Sequence, residues 1–205
     1  NITMSLICKD DETLRRTSVR KLKPLAFNLN LIQQLSELSW LPVDNNVSIA
    51  EMEQAFRSIV RTKRFSRWTD LLLVSVGNAA FCRLFNGDLW AMLTVFAATL
   101  LGFLVKQQLS RLKYNPLGVI ILSAFAASMA AACAVIFQLG STPQIALDTS
   151  VLFLVPGVQM INSIMDLMHG HILMGISRGV HSIMMISCIT IGLSATMLIV
   201  GVNSL

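Results

Sequence analysis

The sequence is poor in charge. Only 13% of its 205 residues are Asp, Glu, Lys or Arg, where a soluble domain carries roughly 25%. The shortage is local. Of 16 Lys and Arg and 11 Asp and Glu, residues 1–68 hold eleven and seven, leaving five and four from Thr69 to Leu205. The second stretch cannot present an ordinary wet surface and needs a lipid one instead. Hydrophobic residues make up 54% of the chain, and its mean hydropathy is +0.67. The formal charge of +5 belongs mainly to the first stretch and one later loop. It reads as a topology signal. Helix-turn-helix, zinc-finger and basic-aromatic nucleic-acid patterns are missing, which argues against a nucleic-acid partner.

Cysteine is sparse and scattered. Cys8, Cys82, Cys133 and Cys188 form no CxxC and no metal-ligand spacing, and three of them sit in apolar runs as small hydrophobes. No metal and no cofactor is expected. The chain also lacks a nucleophile elbow, a phosphate loop and paired carboxylates, so it does not read as an enzyme. No signal peptide is visible. The chain opens on Asn1-Ile2-Thr3-Met4 without an initiating Met, and further residues are expected upstream.

What is present divides in two. Residues 1–68 read as a small α/β cytoplasmic domain. Ile2, Met4 and Leu6 alternate with Thr3, Ser5 and Ile7, Asp10-Asp11-Glu12 supplies a turn, Thr13–Val19 returns, and Pro24 closes the hairpin. A helix from about Asn28 carries Leu31, Leu35 and Leu38 on one stripe and ends at Trp40-Leu41-Pro42. Ser48 and Glu51 form a capping box for a second helix with Ile49, Met52, Phe56 and Ile59 on its apolar stripe. That helix leads into the basic stretch Arg61–Trp68, suited to the cytoplasmic headgroups.

Residues 69–205 read as an all-α polytopic membrane domain of five helices, at about 69–85, 89–105, 116–139, 143–168 and 175–202. The first holds Asn78 and Arg83, with Arg83 snorkelling near its end and Asp88 offsetting it. The third is rich in Ala and Ser, which suits close packing in lipid. Lys106, Arg111 and Lys113 fall between the second and third. Gly140-Ser141-Thr142, between the third and fourth, is uncharged, and His169, His171 and Arg178 follow the fourth. Basic loops alternate with neutral ones. The N-terminus is therefore expected in the cytoplasm and the C-terminus outside.

The chemistry concentrates between Asp148 and His181. Pro156-Gly157 breaks the fourth segment, because Pro removes a donor and Gly adds freedom at one point. A half-helix starting there offers unpaired N–H groups to a negatively charged ligand. Gln159, Asn162 and Asp166 follow on one face as a polar stripe. Pro156, Gly157, Gln159, Asn162, Asp166 and Arg178 are thus the candidate substrate-binding residues. Asp166, His169, His171 and Asp148 are the candidates for proton coupling. The competing reading is a purely geometric kink, with Asn162 and Asp166 as packing links and the histidines, His181 included, as interfacial residues.

With those residues in view, the chain resembles the threonine/serine exporter family over nearly its whole length. The resemblance is carried by the hairpin and helix pair before Phe65-Ser-Arg67-Trp68, by Phe85-Asn-Gly87-Asp88 and by Tyr114-Asn115-Pro116. It is carried above all by Val155-Pro156-Gly157 followed by Asn162, Asp166, Gly170, Gly175 and Arg178. His169-Gly170-His171 and Ser141-Thr142-Pro143 look most like the YjjP-type branch of short subunits. The resemblance implies a subunit of a secondary exporter of small carboxylates, succinate-like or threonine/serine, with a second membrane subunit of the YjjB type. Larger members carry ten segments in one chain, so two five-helix chains would complete an inverted repeat. Where larger members often have an acidic residue after the glycine, this chain has His171, which bears on coupling and substrate charge. The alternative is a non-transporting anchor or regulatory subunit of a partner complex.

Overall fold

The computed structural model describes residues 2–7, 15–20, 29–44, 49–61 and 66–201. The chain forms two compact units, residues 1–64 and 65–205.

In the first unit β1 (Ile2–Ile7) pairs antiparallel with β2 (Arg15–Arg20), Ile2 opposite Arg20 and Ile7 opposite Arg15. Helix α1 (Leu29–Asp44) packs on α2 (Ile49–Arg61). On α1 the expected stripe faces inward, with Leu38 buried and Leu31 and Leu35 half-buried. On α2 Met52 and Ile59 are half-buried, but Phe56 is exposed and Ala55 takes the inner position. Helix α1 also runs through Pro42 rather than ending there. In a last turn Pro forfeits only one backbone bond, so the helix closes two residues later. The turn at Asp10-Asp11-Glu12, Pro24, the Ser48 cap and residues 62–65 of the basic stretch lie outside the described residues.

The second unit is helical: α3 (Arg67–Leu84), α4 (Leu89–Arg111), α5 (Pro116–Ile136), α6 (Pro143–Thr149), a 3₁₀ turn (Leu152–Leu154), α7 (Gly157–Met168) and α8 (Ile172–Val200). Among the described residues α4, α5 and α8 are long and apolar enough to cross a membrane, and the bent pair α6–α7 makes a fourth span if counted as one. Helix α3 is less apolar, since its 18 residues include Arg67, Asp70 and Arg83.

Several boundaries differ from the expected ones. The second segment does not stop at residue 105 but runs to Arg111, because Lys106–Arg111 are good helix formers even where the apolar run has ended. Lys106 and Arg111 are therefore on a helix and not in a loop. The third segment ends at Ile136, where Gln138 and Gly140 take positive φ. The fifth begins at Ile172, not residue 175. The break in the fourth segment begins at Ser150, well before Pro156, and its two parts are bent by 61°.

Helix α5 is the centre of the unit, packed against α4, α6 and α8. Its inner residues are small: Ser123, Ala124, Ala127, Ser128, Ala131 and Ala132 are buried. They let backbones approach as the Ala/Ser composition predicted. A Cβ on Gly192 of α8 would lie 2.6 Å from the Ile121 carbonyl oxygen. One turn on, Ser128 Oγ and Thr196 Oγ1 share a hydrogen bond of 2.6 Å across the same seam.

Candidate functional site

The break between α6 and α7 treats its two ends differently. The carbonyls that α6 leaves free at its C-terminal end meet Asn78 of α3. Its Nδ2 donates to Thr149 O at 3.2 Å and Ser150 O at 3.5 Å, and to Thr99 Oγ1 of α4 at 2.7 Å. Asn78 is buried, so one amide ties α3, α4 and α6 together in the interior. The other end lacks such a brace. Gly157 N donates to Val155 O at 2.9 Å, and Met160 N to Pro156 O at 3.0 Å. Between them the N–H groups of Val158 and Gln159 meet no acceptor among the described residues, and no side chain caps the helix. These are the unpaired donors of a helix start, with the positive end of its dipole.

Gly157 lines a cleft of about 470 Å³ between α3 and the break, together with Gly77, Asn78, Phe81, Phe153 and Val155. Its walls are mainly apolar. A Cβ added at Gly77 or at Gly157 would meet nothing within 4 Å, so the cleft is open at both glycines.

The remaining expected residues are gathered elsewhere. Gln159, Asn162 and Asp166 do share a face of α7, all half-buried, but none of them lines the cleft. Arg178 Nη1 donates to Asp166 Oδ2 at 2.6 Å, tying α8 to α7. Ser163 Oγ donates to Gly175 O at 2.7 Å beside that pair, and Gly170, with φ of +80°, makes the turn between the helices. The Gln159 Oε1 atom is buried without a partner among the described residues. His169 Nδ1 lies 2.7 Å from Met165 O, at the end of α7. His171 and His181 are exposed, and Asp148 is exposed on α6, outside the cleft lining. The sequence reading treated the break and the polar stripe as one site. Both lie on α7, but of that helix only Gly157 lines the cleft, and the Asp166 end of the stripe is turned to α8 through Arg178.

Two residues carry more than the sequence reading gave them. Asn78 was visible as a polar residue in an apolar helix, but its carbonyl partners lie 71 and 72 residues away. Asp88 does not serve mainly to offset Arg83, whose Nη1 donates to Gly87 O at 3.1 Å. Its carboxylate caps α4 by accepting from Ala91 N at 2.8 Å, and reaches the α5–α6 turn through Ser141 N at 2.7 Å and Thr142 Oγ1 at 3.0 Å. The Ser141 backbone N–H, followed by that of Ala91, holds its carboxyl below the usual carboxylate value. Gly140 sits there at φ +79°, and a Cβ on it would collide with the Asp88 carboxylate.

The sequence matches known proteins. The family described as "Putative threonine/serine exporter" matches residues 1–200. A protein of Escherichia coli (strain K12) named "Probable succinate transporter subunit YjjP" is 33% identical over 175 residues, covering 83% of this chain and 66% of that protein. A Klebsiella aerogenes protein of the same name is 30% identical over 194 residues, covering 92% of this chain and 73% of that protein. The chain thus spans about two thirds of the length of the Escherichia coli relative. No solved structure matches. With its apolar helices and this match along nearly its full length, the chain is a multi-pass membrane protein and belongs to the threonine/serine exporter family, a family of membrane transporters and not of enzymes.

Proposed function

We propose that the chain is one subunit of a secondary transporter that exports small carboxylates, succinate-like or threonine/serine, across the bacterial inner membrane. The carrying observation is the asymmetric break. Asn78 occupies the free carbonyls of α6, while the N–H groups of Val158 and Gln159 stay open in the turn that follows Gly157, a residue of the cleft wall. A helix start with unpaired donors suits a carboxylate in a low-dielectric setting. In this reading α3 counts as a span alongside α4, α5, the α6–α7 pair and α8. The N-terminus then lies in the cytoplasm and the C-terminus outside. A second membrane subunit of the YjjB type supplies the remaining helices. The word "subunit" in the relatives' names supports a partner.

The test is efflux from cells with and without the chain and its membrane partner, using succinate and threonine. Gly77 lines the cleft and an added Cβ there meets nothing within 4 Å, so Gly77→Leu adds bulk at the wall without a clash in the bundle. It should reach the membrane at wild-type abundance and abolish efflux. The anchor reading draws support from the Asp166–Arg178 pair, in which the two charges satisfy each other. Unchanged efflux from Gly77→Leu would favour that reading over transport through this cleft.

A further inference from the structure

Resting on the carboxylate export proposed above, we propose that Lys106 is the cation that receives the substrate carboxylate on the cytoplasmic side of the cleft. Phe153 stands between the two. Helix α4 continues past Val105, so Lys106 is fixed on a helix and not carried by a loop. At 1.5 Å per residue it lies about 25 Å along the axis from Leu89, within a hydrocarbon core of about 30 Å. Its side chain is half-buried.

The surroundings of Lys106 are unusual for a half-buried ammonium. Its Nζ lies 5.8 Å from the Phe103 ring centre and 6.0 Å from that of Phe153. Among the described residues it has no carboxylate partner and no hydrogen bond. Elsewhere in the unit Arg83 donates to a carbonyl and Arg178 to a carboxylate, while Arg67, Arg111 and Lys113 are exposed. Lys106 is the half-buried cation left with ring faces alone. A ring quadrupole attracts an ammonium less strongly than a full negative charge and leaves its N–H donors unused. A carboxylate offers both the charge and the acceptor oxygens.

Phe153 connects this cation to the cleft. The ring lines the cleft beside Gly157 and meets Phe103 edge-on, with centres 6.1 Å apart. It also covers Gly102, where an added Cβ would come within 3.0 Å of Phe153 Cζ. An anion that takes Lys106 away from the Phe153 ring loosens the wall between them. It then has the open donors of α7 ahead of it. Simple snorkelling of a lysine toward the inner interface would need none of these relations.

The experiment uses inside-out vesicles holding the full-length chain and its membrane partner, with radiolabelled succinate and threonine as probes. Lys106→Gln and Lys106→Met should raise the half-saturating succinate concentration about tenfold or more, as loss of a charged hydrogen bond implies. Maximal rate and membrane abundance should hold, and Lys106→Arg, which keeps the charge, should recover most of the affinity that the neutral variants lose. Wild-type half-saturation in the neutral variants overturns the proposal. So does a fall in maximal rate alone that Arg fails to rescue, which marks a packing role. If the neutral variants do not accumulate, acetic anhydride footprinting of the wild-type protein decides. Succinate should slow acetylation of Lys106 and not of exposed Lys113, and equal labelling overturns the assignment. Vesicles that take up neither probe sink the export reading itself, and the footprint then judges Lys106 alone.

Discussion

The α3–α6 region and the α7–α8 hairpin are made of similar apolar residues, yet they handle polar groups in opposite ways. Between α3 and α6, Asn78 spends its amide on three acceptors and Asp88 gathers the α3–α4 and α5–α6 turns around one carboxylate. In the hairpin, Asp166 finds Arg178, but Gln159 Oε1 is buried unpaired and the Asn162 amide forms no hydrogen bond among the described residues. Much of the outer face of α7 is apolar and exposed, Ile161, Ile164 and Met168 among it. Polar groups that meet each other hold a bundle together. Polar groups left open in an apolar setting carry a penalty that a ligand or a neighbouring chain can relieve. The paired polar groups of the first region read as the scaffold of the cleft, and the open ones of the second as working surface.

The sharpest way to break this contrast is Asn78→Leu. The substitution strips the donor from the Thr149 and Ser150 carbonyls and from the Thr99 hydroxyl, all buried. It should destabilise the protein by about 1–3 kcal/mol, seen as a lower melting temperature in detergent and reduced accumulation in the membrane. An unchanged melting temperature would show that the brace is idle.

Asp88→Asn tests the other scaffold contact and has a definite pH signature. The folded protein holds the Asp88 carboxyl below 3.8, chiefly through the Ser141 N–H. A depressed carboxylate contributes stability that is present above its unfolded value and lost as pH falls through its folded value. The variant should therefore melt below wild type at neutral pH. The two curves should converge only below the ordinary carboxylate range. Curves that converge already near pH 6 would remove Asp88 from the clamp.

The Asp166–Arg178 pair should behave differently. Its side chains are 23% and 45% exposed, so either single neutralisation should alter stability by about 0–1 kcal/mol, discounted for screening. Reversing both charges should restore part of any lost export, which a double-mutant cycle reads directly. Full loss of folding on Asp166→Asn would move the pair into the scaffold.

How much of this was legible in the sequence follows from the range of each signal. Helix positions were readable because apolar runs are local, and α5 was readable as a packing helix from its Ala and Ser. The end of α4 was not, because Lys106–Arg111 keep helical propensity after losing hydropathy. Pro156-Gly157 marked a break but not its start at Ser150, where the carbonyl meets Asn78, 72 residues away in the chain. The stripe Gln159, Asn162, Asp166 followed from helical spacing. That none of the three lines the cleft did not, because the cleft is walled by α3 and the break, which only the fold brings together. The Lys106–Phe153 relation was hidden for the same reason: it joins residues of two helices that only the fold brings together.

The smallest expected change in stability belongs to Gln159→Leu, and it separates the two regions most cleanly. Leu is close to Gln in size and removes the one buried side-chain acceptor that has no partner among the described residues. Replacing an unsatisfied polar group by an apolar one is near neutral or stabilising, so the melting temperature should hold or rise, with a change within about 0.5 kcal/mol. Export should fall nonetheless if the Gln159 amide meets substrate or the neighbouring subunit during the cycle. The two measurements then point in opposite directions, which no scaffold residue such as Asn78 can produce. A loss of stability comparable to Asn78→Leu would place Gln159 in the scaffold and erase the contrast. Unchanged stability with unchanged export would confine the working surface to the open donors of α7 and the cleft beside Gly157, with the polar stripe reduced to the Asp166–Arg178 tie.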